Sequence, residues 1–520
     1  MLVLPATLLL CGLWIAVAPA AERSARFRAA MESIQADDLG EHVGRLADNK
    51  MEGREGGTRG GRAAANYVAD EFGKLGLRPA GAAGTAAPQD GGYFQPFAPN
   101  FRNVLAMLDG SDAQWKTQVI VVGAHYDHVG RGNSENSRGP VGYIHPGADD
   151  NASGTAALLA LARAFAALPE PPRRSILFIA FDGEEKGLFG SKHFAAHPTV
   201  PLSRIVAMVN IDMIGRLRND RLMVYGTRTG FGLRRVVCEQ NDEFGLKLDF
   251  TWELNDEADH YPFFARNVPV LMFHTGLHDE YHTPRDTAKT IDTAGETRVV
   301  RLAFALLHDL AQREAVPAVR KAAARETEES RRRIEAAAPL RLPNRLGVAA
   351  ESGEPSDDGV RVTRVIAGSS AQRANLRAGD RIVRFDDREV RTLDDLLAAV
   401  RAADSPTLAV VRRGEQPEPM EIKVALDGPP LKTGLVWRTD DAEPGVVTVS
   451  QVVPGSPAAA AGVRAGDRVY QVDGQDFRNA AHFAELVAAP GDLLELTIER
   501  RGQVRRIELH FRPTASRKAA

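Results

Sequence analysis

The sequence predicts an α/β protein: a mostly parallel sheet sandwiched by helices, followed by two small β-rich domains. Three observations carry this. Between Asn103 and about Ala315, apolar runs of strand length alternate with helical segments, the pattern of a parallel sheet whose crossovers are helices. Further on, Gly368-Ser369-Ser370-Ala371 through Leu376-Arg377-Ala378-Gly379-Asp380-Arg381-Ile382-Val383 recurs without a gap as Gly455-Ser456-Pro457-Ala458 through Val463-Arg464-Ala465-Gly466-Asp467-Arg468-Val469-Tyr470. A period that long, with strands and a helix in each copy, describes two tandem domains rather than a solenoid. Finally, 520 residues exceed what one hydrophobic core holds.

In chain order, Leu2–Ala18 is an almost unbroken apolar run without charge until Glu22, closed by Ala18-Pro19-Ala20. The small-x-small ending suits a cleaved signal peptide over residues 1–20, and hence export to a periplasmic or extracellular space. An uncleaved anchor, or lipidation at Cys11, is the alternative. Once the signal is removed only Cys238 remains, so an internal disulfide is impossible. Asp38–Gly76 reads as two helices around the Gly-rich turn Gly53–Gly61, and Pro79–Gly92 as a loose stretch. Val119–Ala124, Ile176–Phe181, Ile205–Ile211, Arg221–Tyr225 and Pro269–Phe273 read as strands. Ser153–Leu168, Lys186–His197, Phe231–Glu243 and Ala294–Glu314 read as helices. This alternating part is predicted to form one domain over residues 22–315. Val316–Ala338 carries opposite charges three and four apart, the pattern of a solvated linker helix over 316–339. The repeated units occupy 340–427 and 431–513.

The 68 acidic and 65 basic side chains nearly cancel, leaving a formal charge of −3. That balance gives no electrostatic reason to expect nucleic acid or an anionic membrane as partner.

Five segments of the middle domain place metal-ligand residues at strand ends, where sheets of this kind form their sites. His125-Tyr126-Asp127-His128 follows Val119–Ala124, and alternate residues of an extended segment point the same way. His125 can then bind a metal while Asp127 reaches its other ring nitrogen. Gly147-Ala148-Asp149-Asp150-Asn151-Ala152-Ser153-Gly154 precedes a helix, with Asp149 expected to offer both oxygens. Glu184 and Glu185 end the apolar run Arg174–Asp182, and two adjacent carboxylates repel unless cations neutralise them. Asp212 follows a third strand, and His282 lies in the loop after Pro269–Phe273. Two His and three carboxylates make a dinuclear site for a borderline-hard metal such as Zn²⁺. His128 and His145 are expected outside it, in a loop of surface composition, and Cys238 reads as a small packed residue.

These segments, in this order, resemble the M28 family of zinc peptidases over about Asp38–Glu314, which implies a zinc exopeptidase type of fold. The resemblance implies that His125 and Asp212 hold one zinc, Glu185 and His282 the other, and that Asp149 bridges them. It places Glu184 as general base and Asp127 as the acid orienting the first histidine, with a cis peptide at Asp149–Asp150. The implied activity is metal-dependent peptide hydrolysis by a zinc-bound water, with an aminopeptidase first and carboxypeptidase or dipeptidase action as alternatives. Glutaminyl cyclase chemistry on the same fold uses one zinc. His260, in Ala258-Asp259-His260-Tyr261, is a candidate for the substrate pocket, with a structural hydrogen bond as the other reading. The family's protease-associated insertion has no room in Pro79–Phe101.

The repeated units resemble PDZ domains of the bacterial protease-associated type. The resemblance implies binding of an extended C-terminal peptide by strand addition, its carboxylate gripped by backbone amides. Leu346-Gly347-Val348 matches the carboxylate loop of the first unit, and Gly434-Leu435 that of the second less closely. Packing on the catalytic domain or oligomerisation is the alternative role, and a non-catalytic peptide-binding protein on a peptidase scaffold the alternative for the chain.

Overall fold

The computed structural model describes residues 25–81, 92–335, 344–414, 418–428, 430–488 and 491–511. The run Leu2–Ala18, with Cys11 and the expected cleavage site, lies outside the described residues. Among the described residues no helix is long and apolar enough to cross a membrane.

The first domain is built on nine strands: β1 (Arg78–Pro79), β2 (Phe94–Phe97), β3 (Phe101–Leu108), β4 (Val119–His125), β5 (Ser175–Phe181), β6 (Ile205–Ile211), β7 (Arg221–Tyr225), β8 (Lys247–Phe250) and β9 (Val270–His274). Their order is β1-β3-β5-β4-β6-β9-β7-β8, with β2 paired to β3. The centre, β5-β4-β6-β9, is parallel, as the continuous apolar runs predict. Antiparallel pairings join β3 to β5 and β7 to β9. The sheet is therefore parallel in its middle and mixed overall.

The helices are α1 (Ala25–Glu32), α2 (Ala36–Leu46), α3 (Arg59–Lys74), α4 (Gly154–Ala166), α5 (Phe189–Ala196), α6 (Leu233–Asn241), α7 (Tyr261–Phe264), α8 (Thr293–Gln312) and α9 (Glu328–Glu335). Strand alternation splits the apolar residues between two cores. Ile120, Val122, Ile176, Phe178, Val209 and Ile211 join α1–α4, α6 and α8 on one face. Val119, Val121, Leu177, Ile179, Phe181 and Met208 join Phe194 of α5 and Phe263 of α7 on the other. In α4 every residue from Gly154 to Ala162 is buried. A Cβ on Gly154 would stand 2.4 Å from the Ile211 carbonyl oxygen, so this glycine lets the helix start directly behind the end of β6.

The charged segment after α8 departs from the expected solvated helix. Val319 bridges to Gly230, and the Arg320 amide donates to the Thr229 carbonyl at 2.6 Å. Ala323 enters the second core, and Glu328 accepts from the Trp252 amide at 2.9 Å. The segment is a strap over the first domain, with Arg320 paired to Glu326 and Arg331 to Glu328 and Glu335.

The two β-rich units repeat one design. The first has the sheet order β10-β11-β12-β14-β15 from β10 (Val348–Ala350), β11 (Val360–Val365), β12 (Arg381–Phe385), β13 (Arg388–Glu389), β14 (Thr407–Arg412) and β15 (Met420–Val424), with β13 beside β12. Its short helix α10 (Ser370–Arg373) precedes the longer α11 (Leu393–Ala402), which starts with a capping box between Thr392 and Asp395. The second repeats the order with β16 (Leu435–Arg438), β17 (Val447–Val452), β18 (Arg468–Val472), β19 (Gln475–Asp476), β20 (Leu493–Arg500) and β21 (Gln503–His510), and helices α12 (Pro457–Ala460) and α13 (Ala480–Ala488). Gly347 at φ 79° and Gly434 at φ 76° turn the chain before each edge strand, and a Cβ on either would stand 2.1 Å from Ser369 or Ser456. Asp380 pairs with Arg413, and Asp467 with Arg500, both at 2.7 Å.

Only the second unit is bonded to the first domain by the described hydrogen bonds and ion pairs. Arg228 reaches both Glu326 and Asp440, Arg234 reaches Glu499, and Arg235 reaches Asp476. The Gly232 amide donates to Ala442, the Leu248 amide to Arg501, and the Asn241 side chain to Gly502. Val446 and Tyr470 belong to the same core as α6 and α8. The first unit touches the second, through the Leu431 amide on the Arg401 carbonyl and Lys432 on Asp404. Cys238 is fully buried near this seam, where burial raises its thiol pKa well above the ordinary range.

Candidate metal centre

The carboxyl ends of β4, β5, β6 and β9 converge on one cluster. His125 is the last residue of β4 and Asp212 follows β6, both buried. Glu184 and Glu185 sit half-buried on a helical turn after β5. His282 comes from the loop after β9, its Nδ1 bonded to the Asn136 carbonyl at 2.7 Å.

Asp150 stands between them. Its Oδ1 is 3.4 Å from His125 Nε2, which is also 3.5 Å from Asp212 Oδ1. Its Oδ2 is 3.0 Å from His282 Nε2, which is 3.2 Å from Glu185 Oε2. Each oxygen of one carboxylate thus faces a separate group: His125, Asp150 and Asp212 on one side, His128, Asp150, Glu185 and His282 on the other.

This corrects the expectation for Asp149. Its Oδ1 accepts the Gly215 amide at 2.7 Å, and its Oδ2 lies 3.2 Å from His278 Nε2. The Asp286 carboxylate meanwhile holds the Asp149 amide. The helical turn Ala148–Ser153 therefore sends Asp149 toward the loop after β6 and Asp150 into the cluster. The cis peptide likewise lies one residue later than expected, at Asp150–Asn151.

His128 is the second correction. It is 1% exposed, because its backbone amide donates to Arg54 and draws the strand end inward. Its Nδ1 lies 2.8 Å from Glu185 Oε1 and 3.6 Å from Asp150 Oδ2. His145 stays outside, bonded to Ser137 Oγ at 2.8 Å and the Tyr143 carbonyl at 2.9 Å. His260 Nε2 donates to the Leu254 carbonyl at 2.6 Å, and burial pushes its pKa down to about 4. Its Nδ1 is buried without a partner.

Asp127 acts on two neighbours. Its Oδ1 accepts the Glu184 amide at 3.1 Å and lies 3.7 Å from His125 Nδ1, while its own carbonyl is nearer that ring nitrogen at 3.2 Å. Sequence reasoning also missed Arg54, in the Gly-rich turn. Its buried guanidinium donates to the carbonyls of Leu46, Tyr126, Pro146 and Gly147 at 2.6–2.9 Å. It thereby ties the end of β4 to the loop carrying Asp150, while burial lowers its pKa to about 10. An arginine inside an apparent turn is the one sequence signal that could have marked it.

The electrostatics ask for cations. Burial raises the Glu184 carboxyl well above its usual range, and Glu185, Asp259 and Asp212 add to this against His125. Asp259 and Asp182 are each raised to about 7, first by burial and then by neighbouring carboxylates. Burial lowers His282, yet Asp150 and Glu185 outweigh it and carry its pKa to about 10. His282 Nε2 and His128 Nε2 are buried without a hydrogen-bond partner. Clustered imidazoles and carboxylates at these spacings fit the N/O donor set of Zn²⁺.

At the PDZ-like units, Leu346 and Leu435 are buried behind the turn glycines, and Val348 opens an edge strand. The Ile366 amide donates to Gly347 and the Val453 amide to Gly434, so the second turn has the same build as the first.

Residues 103–307 match Peptidase family M28, and residues 361–413 and 448–500 match the PDZ domain. Aminopeptidase YwaD of Bacillus subtilis is 29% identical over 209 residues, covering 38% of this chain and 42% of that protein. A probable zinc metalloprotease of Pyrenophora teres f. teres is 37% identical over 142 residues, 25% of this chain and 28% of that protein. The chain spans less than half the length of either curated relative. Among solved structures, the LapA aminopeptidase of Legionella pneumophila is 20% identical with a TM-score of 0.45, covering 55% of this chain and 75% of that one. The chain carries a domain that matches Peptidase family M28, followed by two that match the PDZ domain.

Proposed function

We propose that this chain is a zinc-dependent exopeptidase acting as an aminopeptidase. The observation that carries the reading is the Asp150 carboxylate, with one oxygen toward His125 and the other toward His282. Two zinc ions would be held there, one by His125, Asp212 and Asp150, the other by Glu185, His282 and Asp150 with His128 beside Glu185. When bound, zinc supplies Lewis acidity toward the scissile carbonyl and toward water. Glu184 lies beside the ligands without belonging to either group. It takes a proton from the attacking water and delivers it to the leaving amine. Asp127 steadies that work: its carboxylate accepts the Glu184 amide, and its backbone carbonyl lies 3.2 Å from His125 Nδ1.

The free edge of β10 supports peptide binding at the first PDZ domain, and the docked position of the second supports a structural share of its role. We place the protein outside the cytoplasm, on the apolar run and small-x-small ending at its N-terminus. A panel of free-amine and N-blocked peptides, assayed with and without a chelator, tests the activity. Chelator-sensitive hydrolysis of free-amine peptides alone is expected. Hydrolysis of N-blocked peptides would turn the reading to a carboxypeptidase, and no hydrolysis to a binding scaffold. Glu184→Gln should abolish turnover and keep its zinc.

A further inference from the structure

A cleft of about 410 Å³ opens beside the metal centre, lined by Arg138, Arg216, Arg218, Leu277, His278, Asp279 and Glu280. Three guanidinium groups from two separate loops meet there. Arg218 is fixed at the rim by the carbonyls of Gly276 and Leu277. Arg216 Nη2 donates to Glu280 at 2.7 Å, but its Nη1 is buried with no acceptor. Glu280 is already shared with His278 at 3.2 Å, and the three arginines face two carboxylates, Asp279 and Glu280, in the cleft. Buried donors without partners are uncommon and call for an explanation.

The cleft is continuous with the catalytic loop. Leu277–Glu280 leads directly into Tyr281 and His282, and the Arg138 amide donates to the His282 carbonyl at 2.9 Å. The Tyr281 and His282 rings are 3.9 Å apart, and Arg138 Cζ lies 4.7 Å from the Tyr281 ring centre. Across Tyr281 the Arg138 guanidinium is thus within about 9 Å of the His282 ring, a span of two or three extended residues.

We infer that this cleft binds the free α-carboxylate of a short peptide whose scissile bond lies at the metal centre. The inference rests on the peptidase reading of that centre and names its substrate class: peptides of two to four residues with an unblocked C-terminus. Arginine forks match a carboxylate in two parallel hydrogen bonds, and charge-assisted bonds of that kind are the strong ones. Arg216 Nη1 supplies one donor already desolvated, and Arg138 and Arg218 supply the charge around it.

The test is calorimetric binding to zinc-loaded Glu184→Gln protein, with Leu-Gly-Gly as the free acid, Leu-Gly-Gly-amide, and Leu-Asp-amide. The free acid should bind on the order of tenfold or more tightly than its amide. Arg138→Gln and Arg216→Gln should each shrink that ratio and leave amide binding unchanged. Arg138 is exposed, so its variant keeps the test valid if Arg216→Gln misfolds. Equal affinity for acid and amide, or an acid preference that survives in both variants, overturns the inference. Tight binding of Leu-Asp-amide without preference for the free tripeptide acid puts an acidic side chain in the cleft and overturns the α-carboxylate assignment. Hydrolysis of leucine anilide by the wild-type protein judges the peptidase reading separately, because that substrate has no carboxylate.

Discussion

Replacing Arg228 by methionine should loosen the second PDZ domain from the peptidase domain. Arg228 is 9% exposed and its guanidinium bonds to Glu326 at 2.6 and 2.9 Å and to Asp440 at 2.5 and 2.9 Å. It also lies 3.6 Å from the Trp252 ring centre. Methionine keeps the length and packing but removes the charge. Breaking a buried pair by deleting one partner costs about 3–5 kcal/mol, since the other charge is left without compensation. Glu326 retains Arg320 at 2.7 Å, so Asp440, with 8% of its side chain exposed, is the group left stranded. The lower end applies, about 3 kcal/mol, on the order of 100-fold in the docking equilibrium. Hydrogen exchange reads this directly, because the amides of Gly232 and Leu248 are bonded only across the seam, to Ala442 and Arg501. Both should exchange on the order of 100-fold faster in Arg228→Met, and Arg228→Met/Asp440→Asn should recover part of the loss. Unchanged exchange at both amides, with unchanged thermal stability, would refute the claim that this cluster holds the domains together.

Three further outcomes follow from buried charges. Glu296 is fully buried, both of its oxygens are unpartnered, and its pKa is raised well above the usual range by burial, with Asp149 and Asp292 adding. A raised acid pKa means the folded state keeps a proton that the unfolded state releases. Stability therefore falls as pH rises above the unfolded value of about 4.3. Glu296→Gln should raise the Tm at pH 8, by roughly 2–4 °C per kcal/mol recovered, and change little at pH 4. Arg54→Lys keeps the charge but cannot span four carbonyls with one ammonium. Thermal unfolding should come at lower temperature, and zinc affinity in a chelator competition should fall roughly 10–100-fold, as for loss of an outer support. Because Asp150 and Glu185 carry His282 to about 10 against the lowering by burial, zinc uptake at pH 7 should displace protons. Calorimetry in buffers of different ionisation enthalpy should show that release, and the affinity should weaken as pH falls.

The sheet and its main helices were legible because they rest on continuous apolar runs. Ile176–Phe181 and Ile205–Ile211 are buried on both faces, and no other element suits such short unbroken runs. The margins of the sheet, β1–β3 and β8, were not legible, because short edge strands such as Lys247–Phe250 carry mixed polarity and are defined by their neighbours. At the site, His125 stands 3.5 Å from Asp212, and His282 3.2 Å from Glu185. The expectation named Asp149 where the structure turns Asp150 into the cluster, since the turn Ala148–Ser153 has no periodicity to say which carboxylate faces inward. That is decided by Asp286 and Gly215, from two distant parts of the chain. His128 was hidden for a similar reason: its loop reads as surface until Arg54, a distant residue, draws it inward. The docking of only one PDZ domain was beyond sequence as well, because both copies share the same internal motif. Their difference lies in which outward side chains meet Arg228 and Arg234.

The central claim is that one carboxylate, Asp150, serves both halves of the metal centre. Zinc content by elemental analysis, after loading and dialysis of Asp150→Asn and Asp149→Asn, tests it most directly. The account predicts that Asp149→Asn keeps two zinc ions per chain and that Asp150→Asn retains well under two. Loss of zinc from Asp149→Asn, with two ions kept by Asp150→Asn, would contradict it.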